Sequence, residues 1–276
     1  MQLSLSVRIA EEFLSKEHAR VALPALAELA QDAGYDGLCM RASQVGIRDS
    51  AERQQAAADQ IASSGLRVTM VTGDFDIVYN NDLGPNCLRN ILPYLELARK
   101  LGAPIVRVAL KSQDDIPWAQ VAADEAQAYD LTLAHQCHTS SLFETVDDVV
   151  DTLQKIDRPN FGLIYEPANL EICGQDYGPR TIARLAPWIV NVYLQNQILR
   201  PDGDVTLETW CRGPVSLQLV PIHDPGGIDF RRVVEGLMAI DYDGPITAHQ
   251  SGFADRPIAD TARLTADYLK GLWHAR

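Results

Sequence analysis

Four strand-like segments in the second half of the chain finish in residues able to move protons or hold oxygens: LTLAHQCH at 131–138, FGLIYEPANL at 161–170, NVYLQNQ at 191–197 and ITAHQ at 246–250. Together they present Gln136, His138, Glu166, Tyr193, Gln195 and His249. A carboxylate and an imidazole are the usual acid–base pair near neutral pH, and amides or a phenol suit carbonyl and hydroxyl oxygens. Each segment follows an amphipathic stretch of helical period. Polar residues at the C-terminal ends of parallel strands, repeated in this way, are where a (β/α)8 barrel keeps its chemistry.

The elements that would position these residues can be read along the whole chain. Strands are expected near 2–7, 36–41, 67–72, 105–110, 131–136, 161–166, 189–195 and 245–249. Helices are expected near 18–33, 49–64, 87–101, 116–127, 145–156, 179–186, 229–239 and 257–271. Gly34 and Gly102 stand where helices should stop, and Asp229 stands where one should be capped. No linker or low-complexity tract divides the sequence, so residues 1–276 are read as a single (β/α)8 TIM barrel domain of the α/β class. The stretch near 196–228 reads as irregular, a long loop placed to cover the mouth.

Period-two alternation sorts the strand residues by face. It turns Gln136, Glu166, Tyr193, Gln195 and His249 toward the barrel axis, with Arg8, Arg41, Arg107 and Lys111. His135 is assigned to the helix layer, and Glu144 to the first turn of the following helix. Four cations facing one carboxylate call for a compensating anion. Arg41, Arg107 and Lys111 are therefore expected to hold the negative group of a sugar phosphate or sugar acid.

Composition narrows the partners. Lys and Arg total 24 against 37 Asp and Glu, a net charge of −13, and no basic run occurs. Nucleic acid is not an expected partner. No run of about 18 apolar residues suggests a membrane span. The opening MQLSLSVRIAEEF lacks the pattern of a signal peptide, so a cytoplasmic location is expected. Five scattered cysteines without a C-x-x-C read as reduced thiols.

With these strings in place, the chain resembles the xylose-isomerase-like superfamily of sugar isomerases and epimerases, most strongly from 131 to 250. In that family strand five ends in Glu-Asn-His, strand six in Asp-Pro-x-His, strand seven in His followed by Lys-Asp, and strand eight in Glu. Four of these residues hold a divalent metal, and two Glu shuttle a proton through an enediolate. Here Gln136 stands for the first Glu and His138 for the His that touches substrate. Glu166 replaces the Asp, Asn169 the second His, Tyr193 the metal His, and Gln195 and Asn196 the Lys-Asp pair. The stretch PIHDPGGIDFRRVVEGLMAIDYDGPITAH matches best, yet ends in His249 instead of Glu.

The resemblance implies an isomerase or epimerase that takes a proton from the carbon next to a carbonyl. A lyase, either dehydratase or decarboxylase, is the second reading, and a non-catalytic sugar-binding barrel the third. Glu166 and His249 are the expected catalytic pair, with His249 titrating near neutrality. Gln136, His138, Tyr193, Gln195 and His223 are expected on the substrate. Glu166, His249 and Gln136 are the expected ligands if one divalent metal (Mn, Mg, Co or Zn) is kept. The alternative is that metal binding has been abandoned and Arg and Lys stabilise the oxyanion instead. Barrels of this type often pair, so a homodimer is an open expectation.

Overall fold

The computed structural model describes residues 1–12 and 15–275. Its strands are β1 (Gln2–Ser6), β2 (Gly37–Arg41), β3 (Arg67–Thr72), β4 (Ile105–Arg107), β5 (Thr132–Gln136), β6 (Phe161–Tyr165), β7 (Ile189–Leu194), β8 (Asn196–Leu199), β9 (Val205–Thr209), β10 (Gly213–Val220) and β11 (Pro245–Ala248). The parallel strands close into a barrel in the order β1-β11-β7-β6-β5-β4-β3-β2. All eight expected barrel strands are present, each within a few residues of its expected span.

Short apolar runs become barrel strands because both of their faces are covered. Leu3, Leu5, Leu38, Leu133, Leu163, Val192 and Ile246 turn outward into the large core shared with the helices. Cys39, Met70, Ile105, Ala134, Ile164 and Tyr193 turn inward and fill the axis. The inner layer makes the barrel a packed plug below its mouth. Polar residues one step further along each strand then emerge above the plug.

The helices start and stop as their chemistry directs. Asp229 accepts hydrogen bonds from the Arg231 and Arg232 amides and starts the helix Phe230–Ala239. Gly102 ends the helix Leu92–Leu101 at φ 68°, a left-handed conformation that costs glycine little. No helix among the described residues is long and apolar enough to cross a membrane.

The main departure from the sequence reading lies between β7 and β11. The stretch read as irregular forms a three-stranded antiparallel sheet, in the order β8-β10-β9, beside the barrel mouth. Its base is organised by Asn196, whose Nδ2 donates to the carbonyls of Pro221 (3.1 Å), Asp224 (3.3 Å) and Gly226 (3.2 Å). Asn196 Oδ1 accepts from the amides of Gln197 (2.9 Å) and Ile228 (3.0 Å). Gly227 passes so close that a Cβ there would meet the Gln197 carbonyl oxygen at 2.1 Å.

Glu144 has a different job from the one expected. The helix Val146–Ile156 is capped by Thr145, while the buried Glu144 carboxylate accepts from the amides of Ser140, Trp210 and Cys211. It ties the β9–β10 turn to the loop after β5. Glu144→Ala should leave three amides without an acceptor and cost about 1–2 kcal/mol. A lowered urea midpoint with an unchanged slope is the expected measurement.

Candidate functional site

The strand ends converge. A cavity of about 420 Å³ opens at the mouth and is lined by Arg8, Arg41, Arg107, Lys111, Gln136, His138, Glu166, Gln195 and His249, among others. That volume is at the low end of small-molecule sites, which run from roughly 300 to 1,000 Å³. Lys16, Glu11, Asn80 and Asn169 also line it.

Glu166 sits on the floor, just past β6, and is 1% exposed. Its Oε2 accepts from Gln136 Nε2 and from Asn169 Nδ2, the latter at 2.8 Å. No described residue donates to Oε1, which leaves that oxygen available. Burial raises the carboxyl to about 7, against the opposing pull of the Gln136 hydrogen bond, Arg8, Arg107 and the Asn169 hydrogen bond. A carboxylate near neutrality is suited to taking and returning a proton.

His249 does not match the near-neutral titration expected of it. Burial, then Arg8, Arg41 and Arg107, push its ring well below the usual histidine range. It is therefore neutral at physiological pH and a weak base. The ring stacks on Tyr193 at 3.8 Å between centroids, and Nδ1 lies 3.0 Å from Ser6 Oγ. Tyr193 points inward as the alternation required, but one layer too low. Its hydroxyl lies 3.2 Å from Cys39 Sγ, so it supports the imidazole from beneath and does not line the cavity.

The cations divide into partnered and unpartnered. Arg41 Nε lies 3.1 Å from Glu11 Oε1 but off the hydrogen-bond direction, and among the described residues neither Nε nor Glu11 Oε2 has a hydrogen-bond partner. Lys111 donates to the Asn80 carbonyl at 2.9 Å and pairs with Asp82 at 3.3 Å. Arg8 Nη1 donates to Gln195 Oε1 and to the His249 carbonyl (3.2 Å). Burial, and next Arg41, lower its guanidinium to about 10. Arg107 is 2% exposed, and its Nε has no hydrogen-bond partner among the described residues. Lys16 lies 5.2 Å over the Tyr79 ring, and burial beside Arg8, Arg41 and Arg107 lowers its ammonium to about 7. An unpartnered, buried guanidinium facing a cavity is a strong sign of an anionic ligand.

His138 lines the cavity as expected, with Nδ1 2.9 Å from the Thr139 carbonyl. The Thr139 carbonyl only accepts and so favours a proton on Nδ1, whereas Asn80 Nδ2, 3.2 Å from the same nitrogen, only donates and favours the other tautomer. Burial keeps the ring neutral by holding its pKa well below the ordinary value. His223 is not part of the cavity lining. Its ring lies 3.1 Å from Thr265 Oγ1 and 3.6 Å from Asp224, which Arg256 grips at 2.8 Å. That histidine belongs to a loop-anchoring cluster. His135 is structural, its Nδ1 3.0 Å from the Val108 carbonyl and its ring edge-on to Phe143.

The expected metal ligands do not compose a divalent-ion site. Glu166 is the only anion of the trio and amide N–H groups already occupy its Oε2, while Gln136 offers one neutral amide oxygen, Oε1, without a partner among the described residues. Arg8 covers Gln195 Oε1, and three guanidinium groups surround the floor. Hard cations favour several oxygen donors, most of them anionic, and the nearby guanidinium charges oppose a further cation. Among the described residues, the one trio of His, Cys, Asp or Glu close enough to share an ion is Glu144, Cys173 and Cys211, outside the cavity.

The family model described as xylose isomerase-like TIM barrel matches residues 27–271. Solved structures agree on the fold at low identity. The chain superposes on the probable 3-DHS dehydratase AsbF, involved in petrobactin synthesis, from Bacillus anthracis with TM-score 0.73 at 14% identity, over 98% of this chain and 99% of that one. D-psicose 3-epimerase with D-tagatose, from Clostridium cellulolyticum H10, gives 0.69 at 14% identity, covering 99% of each chain. A xylose isomerase-like TIM barrel protein from Mycobacterium smegmatis, in complex with magnesium, gives 0.67 at 17% identity, covering 92% of this chain and 90% of that one. No curated protein matches the sequence.

Proposed function

Because the chain belongs to the xylose isomerase-like TIM barrel family, we propose that it is an enzyme that removes a proton next to the carbonyl of a small anionic compound. A sugar acid, sugar phosphate or related keto acid is the substrate class, and no metal takes part. The observation that carries this reading is a buried carboxyl raised to about 7 on a floor shared with a guanidinium whose Nε has no hydrogen-bond partner among the described residues.

Glu166 Oε1 takes the proton from the carbon beside the carbonyl. The C–H electrons form a C=C bond, and the carbonyl oxygen becomes the enolate oxygen. Arg8 and Arg107 stabilise that charge, the electrophilic role a metal fills elsewhere. Ser6 Oγ donates to His249 Nδ1 and leaves Nε2–H as a neutral donor toward the same oxygen. The protonated Glu166 then has two balanced exits. Returning its proton to the former carbonyl carbon, as the hydroxyl proton of the deprotonated carbon passes to the enolate oxygen and leaves a new carbonyl behind, completes an isomerisation. Handing it to a departing β-hydroxyl releases water and completes a dehydration.

Both exits need only one base. Gln136 cannot ionise and His249 is a weak base, so a second base is not supplied from the opposite face. Isomerisation is the first reading and a lyase the second; epimerisation ranks below both. The test is proton exchange in D2O, followed by NMR, with chelator-treated protein and a panel of keto acids and sugar acids. Loss of the C–H signal at a rate unchanged by EDTA supports the reading. Exchange that disappears with EDTA and returns with manganese would overturn its metal-free part, and no exchange on any compound would overturn the enzyme.

A further inference from the structure

The cavity has two unlike halves. Its floor is charged and polar, as described above, but the sheet at the mouth contributes something different. β9 and β10 alternate strictly: Thr206, Ser216 and Gln218 fall on one face, and Val205, Leu207, Val215, Leu217 and Leu219 on the other. The polar face is stitched by Thr206 Oγ1 and Ser216 Oγ at 2.9 Å. The apolar face turns down, packing Val215 and Leu217 on Ile172. Val205, Leu207, Leu217 and Leu219 line the cavity, joined by Val78; the polar groups that line it outside the floor include Glu208 of β9 with Asn80, Thr139 and Ser140.

A ligand held by its anionic end on Arg8 and Arg107 therefore brings much of its body against the aliphatic side chains of the sheet. A polyol there would lose water from its hydroxyls without regaining hydrogen bonds from the roof, a cost of roughly 1–3 kcal/mol for each group left unmet. An alkyl or aryl body gains from the same burial. We infer that the ligand is an amphipathic keto acid, with a carboxylate and carbonyl on the floor and a deoxygenated, apolar body under the roof. This rests on the anionic-carbonyl reading proposed above and narrows it away from extensively hydroxylated sugars.

The test is calorimetric titration of the full chain with three keto acids of equal charge: 4-methyl-2-oxopentanoate, phenylpyruvate and 2-keto-D-gluconate. The two apolar acids should bind about tenfold or more tightly than the sugar acid, since each buried methylene favours binding by about fourfold. Leu207→Ser and Leu219→Ser change half-buried residues and should erode that preference, weakening the two apolar acids several-fold more than 2-keto-D-gluconate. Equal or tighter binding of 2-keto-D-gluconate by the wild-type chain overturns the inference and leaves the anion site standing. If none of the three binds, the anionic-carbonyl reading itself falls, and the inference with it.

Discussion

Glu166→Gln is expected to slow proton exchange about 10²–10⁴-fold, the usual contribution of a positioned acid–base group, while the folded state survives. The substitution preserves shape, and the Gln carbonyl oxygen can still accept from Gln136 and Asn169. In the wild type the ionised form is the base, so the rate should climb with pH up to about 7 and level off above it. The same shift has a stability sign. The folded carboxyl keeps a proton between its ordinary value of 4.5 and about 7, whereas the unfolded chain has released its own. Glu166 thus contributes stability below that window and loses it as pH rises through about 7. Chemical denaturation of the two proteins across this range should show a stability difference that changes with pH inside the window and is constant above it.

Arg107→Met should weaken binding of a carboxylate ligand by about 10–150-fold, the worth of a charge-assisted hydrogen bond lost at about 1.5–3 kcal/mol. The methionine fills similar space, and it removes a buried guanidinium whose Nε has no hydrogen-bond partner among the described residues. Burial already lowers the pKa of Arg107. Thermal stability should therefore hold or rise, as tends to happen when an uncompensated buried charge is replaced by an apolar side chain. A residue that merely braced the barrel would show the opposite pattern, with lower stability and unchanged affinity in calorimetry.

The barrel was legible because strands buried on both faces leave long aliphatic signatures, and helices leave a 3.6-residue period. Strand parity also placed Gln136, Glu166, Gln195 and His249 around one mouth. Parity does not say how deep a side chain sits, so it puts Tyr193 on the ligand although the phenol lies under the His249 ring. Nor could it show that Asp224 and Arg256 hold His223 outside the cavity. Lys16 arrives from the loop after β1, where no periodicity applies, and its position among the cations left no signal. The titration of His249 depends on burial first, and then on three guanidinium groups brought together only by closure of the barrel. The sheet at the mouth did carry a signal, the alternation in VTLET and VSLQL. Asp, Gly and Arg residues around 200–204 and 211–213 obscured it by reading as turns.

Whether arginines or a metal hold the reacting anion above Glu166 is decided by a crystal structure grown with oxalate, which mimics a planar enolate, and with excess manganese. Oxalate is expected on the Arg8 and Arg107 guanidinium groups, with no anomalous peak beside Glu166. Manganese bridging Glu166 and oxalate, with the two arginines turned away, would contradict the metal-free site.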